Sequence, residues 1–508
     1  MTCHTPVARS WRPTRRCAIG RHSPASLLLS FRSRRVRRAL VDAGLVALVY
    51  PGALTAQRPG LSAQARQFVT VDTAIVALTH ARVIDGTGAP AREGQTVIVR
   101  DGRIESVGDA ATVRIPAGAQ GIDLTGKTVM PGLVMVHEHL YYPVGPGVYG
   151  NLTESFTRLY LAGGVTSMRT GGNMNGYGEL NIKKAIDRGD KAGPWIDATA
   201  PYVNGPNPFG QMQALTTPAE ARRFVDFWAD QGATSFKAYM QVSREVLGAA
   251  IEAAHARGLK VTGHLCSVTY REAAALGIDN LEHGFLAATD FVADKQPDAC
   301  PGQGRGQQAV HATDVNAPAF TALVRELVQR NVALTSTLTV FETFAPGRPM
   351  PPGIDVLLPE LREAYRAQHE RVNRMPQSIY ATLLPKAMAM ETAFFRAGGL
   401  LVAGTDPTGG GGVIAGYANH RALELLVEAG LSPLEAIRVG TLNGATYLGR
   451  SKITGSIAPG LQADLLVVDG NPAERIADVR NVAMVFKQGV GYDPKKLIAS
   501  VQGKVGLF

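Results

Sequence analysis

Six side chains able to hold a metal ion or move a proton each stand at the C-terminal edge of a short apolar run: His137, His139, Lys237, His264, His283 and Asp406. On an extended strand residues i and i+2 share a face, so His137 and His139 point together while Glu138 points the other way. Neutral imidazole nitrogens suit zinc and its neighbours, and a carboxylate with a bridging anion extends such a set to two metals. A paired centre brings the pKa of a shared water near neutrality and polarises a carbonyl under attack. Singly, each signal is weak. A histidine in an apolar strand is more often a hydrogen-bonded core residue, and a lysine in Thr234-Ser-Phe-Lys-Ala-Tyr-Met would ordinarily reach solvent. The ordered set at five strand ends is what carries the reading.

Such a set needs a scaffold that gathers distant strand ends on one rim. Between residues 130 and 455 short apolar runs alternate with helical stretches, the pattern of a parallel sheet with crossover helices. Eight strands are expected, over 130–137, 165–170, 195–202, 235–240, 259–265, 280–285, 332–338 and 400–406. Eight closes an α/β (β/α)8 TIM barrel, and sites on that fold lie at the C-terminal rim. Helices are expected over 218–231, 243–257, 270–276, 318–330 and 419–429, with a further one from Leu434. Two long connections, 286–317 and 339–397, read as lids over the rim. Alternating runs broken by Gly and Asp fill 75–129 and return over 456–508, so the two ends of the mature chain are expected to close one small β-sandwich domain. The expected organisation is a leader over 1–56, a linker over 57–74, β-sandwich segments over 75–129 and 456–508, and the barrel over 130–455.

The motifs that carry these residues are Val129-Met-Pro-Gly-Leu-Val-Met-Val-His-Glu-His-Leu, Gly164-Val-Thr-Ser-Met-Arg-Thr, Thr262-Gly-His, Leu281-Glu-His-Gly and Ala403-Gly-Thr-Asp. With Glu424-Leu-Leu-Val-Glu-Ala-Gly-Leu-Ser-Pro-Leu-Glu-Ala-Ile they resemble the amidohydrolase superfamily, and within it the imidazolonepropionase-like and prolidase-like members, over nearly everything from residue 75 to 490. The resemblance implies two divalent metal ions, zinc foremost. His137, His139 and Asp406 would hold the more buried ion, His264 and His283 the more exposed one, and Lys237, carboxylated by CO2, would bridge both. It implies hydrolysis of an amide- or peptide-like C–N bond, in a dipeptide or N-acyl amino acid, by a metal-bridging hydroxide. Asp406 would be the general base and then the proton donor to the leaving amine. The alternative substrate is a cyclic amide, imidazolone or lactone. A barrel protein that has lost its chemistry is a third reading, against which the complete ligand set stands.

Other positions have less distinctive roles. Glu138 stands where small or polar residues are more usual; it either supports a metal ligand from behind or, the favoured reading, is a salt-bridged wall residue. Tyr239 shares a strand face with Lys237, placing a phenol either against a substrate carbonyl or in simple packing. Arg169 ends the second strand and could clamp a substrate carboxylate or serve a structural ion pair. His420 opens the last long helix, as a substrate contact, a support for a metal ligand or, the favoured reading, a surface histidine.

With 45% apolar and 19% charged residues among 508, a disordered or fibrous chain is excluded. The net charge of +10 is uneven: residues 1–56 hold ten Arg against Asp42 alone, leaving 42 basic and 41 acidic residues beyond them. Nucleic-acid binding is therefore not expected of the working domain. Arg34-Arg-Val-Arg-Arg, then an apolar stretch to Leu54 and Leu54-Thr-Ala-Gln, form a secretory signal pattern with cleavage near Ala56, so the protein is expected in the periplasm or outside the cell. The stretch is about 16 residues with Asp42 and Pro51-Gly52 inside it, too short for stable membrane insertion. The Arg/Ser/Pro-rich residues 1–35 sit awkwardly upstream of such a leader, which suggests a true start near Val36. Cys266 and Cys300 remain after cleavage, and sequence leaves pairing and two free thiols equally open. The expected partner is a small-molecule substrate, and a homo-oligomer is admitted.

Overall fold

The computed structural model describes residues 60–508, apart from 146, 175 and 209–211. The leader, its cleavage site and the alternative start lie outside these residues.

Eight parallel strands form a TIM-barrel-like α/β fold. We number them β1 (Leu133–Glu138), β2 (Val165–Thr170), β3 (Trp195–Asp197), β4 (Ser235–Ala238), β5 (Lys260–Gly263), β6 (Asn280–Glu282), β7 (Ala333–Ser336) and β8 (Leu401–Ala403). Their ladders run as two arcs, β3-β2-β1 and β4-β5-β6-β7-β8, not as one continuous ring. One seam is spanned by parallel bridges Thr199–Ser235 and Val203–Ala238. At the other, the Thr405 and Asp406 N–H groups donate to His137 O at 3.0 and 3.2 Å.

The strands sit where the apolar runs place them but are shorter, because the rim residues leave the ladder to turn into loops. The expected first strand divides at Gly132. Lys127–Pro131 belongs to a different sheet, and only Leu133–Glu138 joins the barrel strands. A Cβ at Gly132 would lie 2.3 Å from Thr166 Oγ1, so the crossing between the sheets admits no side chain there. Helix boundaries follow local signals closely: Thr217 caps Pro218–Gln231 reciprocally with Glu220, and Gly232 ends it at φ 103°. The connection over 339–397 holds helices Leu338–Glu342, Pro359–Asn373 and Tyr380–Arg396, and Gln303–Ala312 is a helix inside the Gly- and Gln-rich connection over 286–317.

The two ends of the described chain meet in one mixed sheet of nine strands. At its centre Leu465–Asp469 runs antiparallel to Lys127–Pro131. Register shifts near Ala81 and between Ile98 and Val99 bend it around its own apolar cluster. The segment expected as a linker is also structured. Helix Ala63–Arg66 is followed by the edge strand Val69–Val71, which pairs with Val490–Tyr492 from the far end of the chain. A local reading has no access to that partner.

Cys266 and Cys300 are joined as a disulfide, tying the chain just past β5 to the long connection after β6. No helix among the described residues is long and apolar enough to cross a membrane.

Candidate metal centre

All six residues singled out by their spacing come to one place. Lys237 Nζ lies 3.3 Å from His137 Nε2. Asp406 Oδ1 is 3.2 Å from His139 Nε2 and 3.7 Å from His137 Nε2, while its Oδ2 is 3.7 Å from His283 Nδ1. The His264 ring centroid is 4.4 Å from that of His283. His137, His283 and Asp406 each offer a donor atom within 4.8 Å of the others and form a buried group that could hold a metal. This trio draws from both of the ligand sets expected for separate ions.

The local backbone is arranged to aim these groups. His283 and Asp406, just past β6 and β8, have φ of 68° and 56°, a left-handed conformation that a non-glycine residue keeps only where the surroundings enforce it. His137 is wedged between glycines: a Cβ on Gly404 would meet His137 Cβ at 2.4 Å, and one on Gly171 would meet the imidazole at 2.4 Å. Any larger residue would push the ring out of the cluster.

Electrostatics favour lone-pair donors at His139 and His264. Burial pushes His139 down to about 4 and His264 to about 3, so both are neutral at physiological pH. His139 Nδ1–H donates to Gly172 O at 3.1 Å, which turns Nε2 towards Asp406. His283 Nδ1 is bound to Thr337 Oγ1 at 2.8 Å, but its Nε2 is buried without any hydrogen-bond partner. A buried polar atom left unpaired is costly. A cation at that atom removes the cost, and the donor set suits one. Burial lowers Lys237 to about 8, which makes the neutral amine, the form that adds CO2, accessible near neutrality. Burial would raise the Asp406 carboxyl, yet His137, His139 and His283 together hold it well below the usual carboxylate range.

One partner was not anticipated. Glu282 accepts a hydrogen bond from His137 Nδ1 and pairs with Arg169 Nη1 at 3.1 Å, with both acidic and basic side chains fully buried. Its burial is overcome by His137, Lys237 and Arg169, which keep it ionised. The available signal was a carboxylate inside a three-residue buried strand, since such a charge must find a partner.

Two expectations are corrected, and one alternative is decided. Of the two roles open to Arg169 it takes the structural ion pair and not the substrate clamp: it points into the barrel-like interior, bonding Glu282, Ser235 Oγ, Thr262 Oγ1 and the Val136 and Phe236 carbonyls. Glu138 is not salt-bridged; Thr405 Oγ1 and Asn419 Nδ2 donate to it, and burial raises its carboxyl to about 7. His420 neither contacts the cluster nor lies on the surface. It is buried, donates from Nε2 to Gly163 O at 2.7 Å, and borders a separate cavity.

Above the cluster opens a cavity of about 330 Å³ with His139, Lys237, His264, His283 and Asp406 among its lining residues. Tyr239 lines it too, its ring 4.8 Å from His264 and 5.0 Å from Tyr202. The Tyr141 and Tyr202 hydroxyls hydrogen-bond each other at 2.5 Å, with the Tyr141 hydroxyl 3.5 Å from His139 Nε2. Gln303, Phe341, Phe344 and Tyr380 bring both long connections to the cavity wall.

Comparison with known proteins places this geometry among relatives. The profile of the amidohydrolase family matches residues 128–491. A solved structure of a candidate prolidase from Bifidobacterium longum is 27% identical with a TM-score of 0.62, over 84% of this chain and 98% of that one. Adenine deaminase 3 of Rhizobium meliloti (strain 1021) is 38% identical over 63 residues, 12% of this chain and 11% of the relative. Enamidase of Eubacterium barkeri is 34% identical over 87 residues, 17% of this chain and 22% of that enzyme. The matched segments thus span about a tenth and a fifth of these two curated relatives.

Proposed function

We propose that this chain, which belongs to the amidohydrolase family, is a metal-dependent hydrolase that cleaves an amide-like C–N bond of a small substrate in the cavity above His137, His283 and Asp406. The observation that carries this is the convergence of six separated residues on a cluster in which His283 Nε2 is buried and unpaired. His137, His139, His264, His283 and Asp406, with Lys237 as a carbamate, would hold two divalent ions, zinc foremost. When bound, such ions acidify water and polarise a carbonyl.

The chain's own groups supply the rest. Asp406, kept ionised, accepts a proton from the attacking water as its oxygen bonds the carbonyl carbon. It returns that proton to the nitrogen as the C–N bond breaks. Tyr239 and the Tyr141–Tyr202 pair present hydroxyl donors towards the developing oxyanion. Glu282 fixes the orientation and tautomer of His137.

The prolidase likeness favours a dipeptide or, by extension, an N-acyl amino acid; a cyclic amide, imidazolone or lactone is the alternative. The scissile bond is acyclic in the first kind and part of a ring in the second, so the cavity walls must discriminate between them. A hydrolysis screen of the zinc-loaded protein over both libraries, with metal content measured in parallel, tests the reading. Bound metal with no C–N hydrolysis in either library would refute it. Export completes the proposal: the signal pattern ending near Ala56 and the Cys266–Cys300 disulfide both suit an oxidising compartment. Amino-terminal sequencing of the native protein should find a start near Gln57.

A further inference from the structure

We infer that the cavity beside His420 is a second ligand site, separate from the metal centre, and that its ligand is an uncharged ring system carrying one hydrogen-bond donor. This cavity, of about 270 Å³, lies where helices Thr153–Ala162 and Tyr417–Glu428 meet the mixed sheet and the last helix, Pro494–Ala499. None of its lining residues lines the cavity above the metal cluster. Its wall is largely apolar, with Leu159, Ala162, Val482, Pro494 and Ile498 contributed by two helices and a strand. An apolar cavity of about 150 Å³ takes up benzene, so this one has room for two fused rings.

A buried acceptor stands in that wall. The two long helices touch through glycines: a Cβ on Gly163 would meet Gly416 Cα at 2.5 Å, and one on Gly416 would meet Leu159 O at 2.2 Å. This close contact sets Gly163 O where His420 Nε2–H reaches it at 2.7 Å. The bond takes the one N–H of a neutral imidazole, so Nδ1 keeps its lone pair. Burial holds the ring in that neutral form by lowering His420 to about 4. His420 is 5% exposed, and its Nδ1 has no hydrogen-bond partner among the described residues. An acceptor left unpaired in an apolar cavity selects a ligand that brings an N–H or O–H to it. Two cations border the cavity without calling for an anion: Arg480 is held by Glu424 through two bonds of 2.5 Å, and Lys495 is exposed to water.

The site stands whatever bond the metal centre cleaves, so binding alone tests it. Calorimetry on the zinc-loaded full chain compares indole with 1-methylindole, which has the same fused rings and no N–H. Indole is expected to bind about tenfold tighter. No binding of indole, or equal affinity for the two probes, overturns the inference. Ile498→Trp fills the cavity from the last helix and should abolish indole binding, with an unchanged zinc content showing that the protein is folded. Indole binding that survives this variant lies elsewhere and overturns the inference. His420→Phe removes the acceptor and should bring the two affinities together, again with zinc retained. A preference for indole that persists in it belongs to another group and likewise counts against the site.

Discussion

Replacing Glu282 by Gln removes a charge while keeping shape, and its cost can be worked from the structure. Arg169 Nη1 lies 3.1 Å from Glu282 Oε1, both side chains fully buried. At that distance and an effective dielectric constant of about 20, the attraction is about 5 kcal/mol. Arg169 keeps its bonds to Ser235, Thr262 and two carbonyls, which cushion the loss. The expected destabilisation is therefore about 3 kcal/mol, the lower end for a broken buried pair. His137 also loses the acceptor that orients its ring, so metal affinity should fall by about 10–100-fold. Urea unfolding of the metal-free protein reads the first effect, and competition against a chromogenic chelator reads the second. The double variant Glu282→Gln/Arg169→Met leaves no orphaned charge and should recover much of the stability but none of the metal affinity. A single variant with the wild-type urea midpoint and wild-type metal affinity would refute this account of the network.

Lys237→Ala should lose metal and turnover together, with partial recovery of activity when a short carboxylic acid and extra metal are supplied; full activity without them counts against the bridging role. Asp406→Asn should retain most of the metal and lose about 10²–10⁴-fold in kcat, and a wild-type rate would remove Asp406 from proton transfer. His264→Ala should bind less metal, as read by elemental analysis, because it deletes a neutral nitrogen donor. The last expectation concerns pH. Burial raises the Glu391 carboxyl from 4.5 to about 8, so across that interval the unfolded chain ionises while the folded chain keeps its proton. This one group therefore lowers stability by about 1.4 kcal/mol per pH unit as pH rises. Glu391→Gln should be stabilised relative to wild type at pH 8 but not at pH 4, and parallel urea titrations that show no such difference would contradict it.

What could be read from sequence was whatever local periodicity and strand-end placement express. The barrel strands were legible because each is a short apolar run, and β2 was found residue for residue over Val165–Thr170. The site was legible because its residues are polar exceptions at the ends of those runs. Arg169 shows the limit: its strand-end position fits both a substrate clamp and an interior pair, and only the position of Glu282, 113 residues away, separates them. The edge strand Val69–Val71 was missed for the same reason, its partner being at the far end of the chain. Helix Gln303–Ala312 was missed because two glycines and a weak apolar stripe hide its period. The left-handed backbone at His283 and Asp406 was not read from sequence: His and Asp adopt it more readily than most non-glycine residues, but that preference is too weak to single out a position.

The mixed sheet has a bearing on how the protein comes into being. Its two central strands are stitched together across 342 residues, as the bond from Thr128 Oγ1 to Gly470 O records. During synthesis the strand Lys127–Pro131 must therefore wait, its edge unsatisfied, until the ribosome has made the entire hydrolytic unit and the strand Leu465–Asp469 that follows it. Contacts of such long range slow folding and reward a chain that stays unfolded until complete. Nascent chains stopped short of Leu465 should accordingly be aggregation-prone, with the exposed edge of Lys127–Pro131 as the adhesive surface.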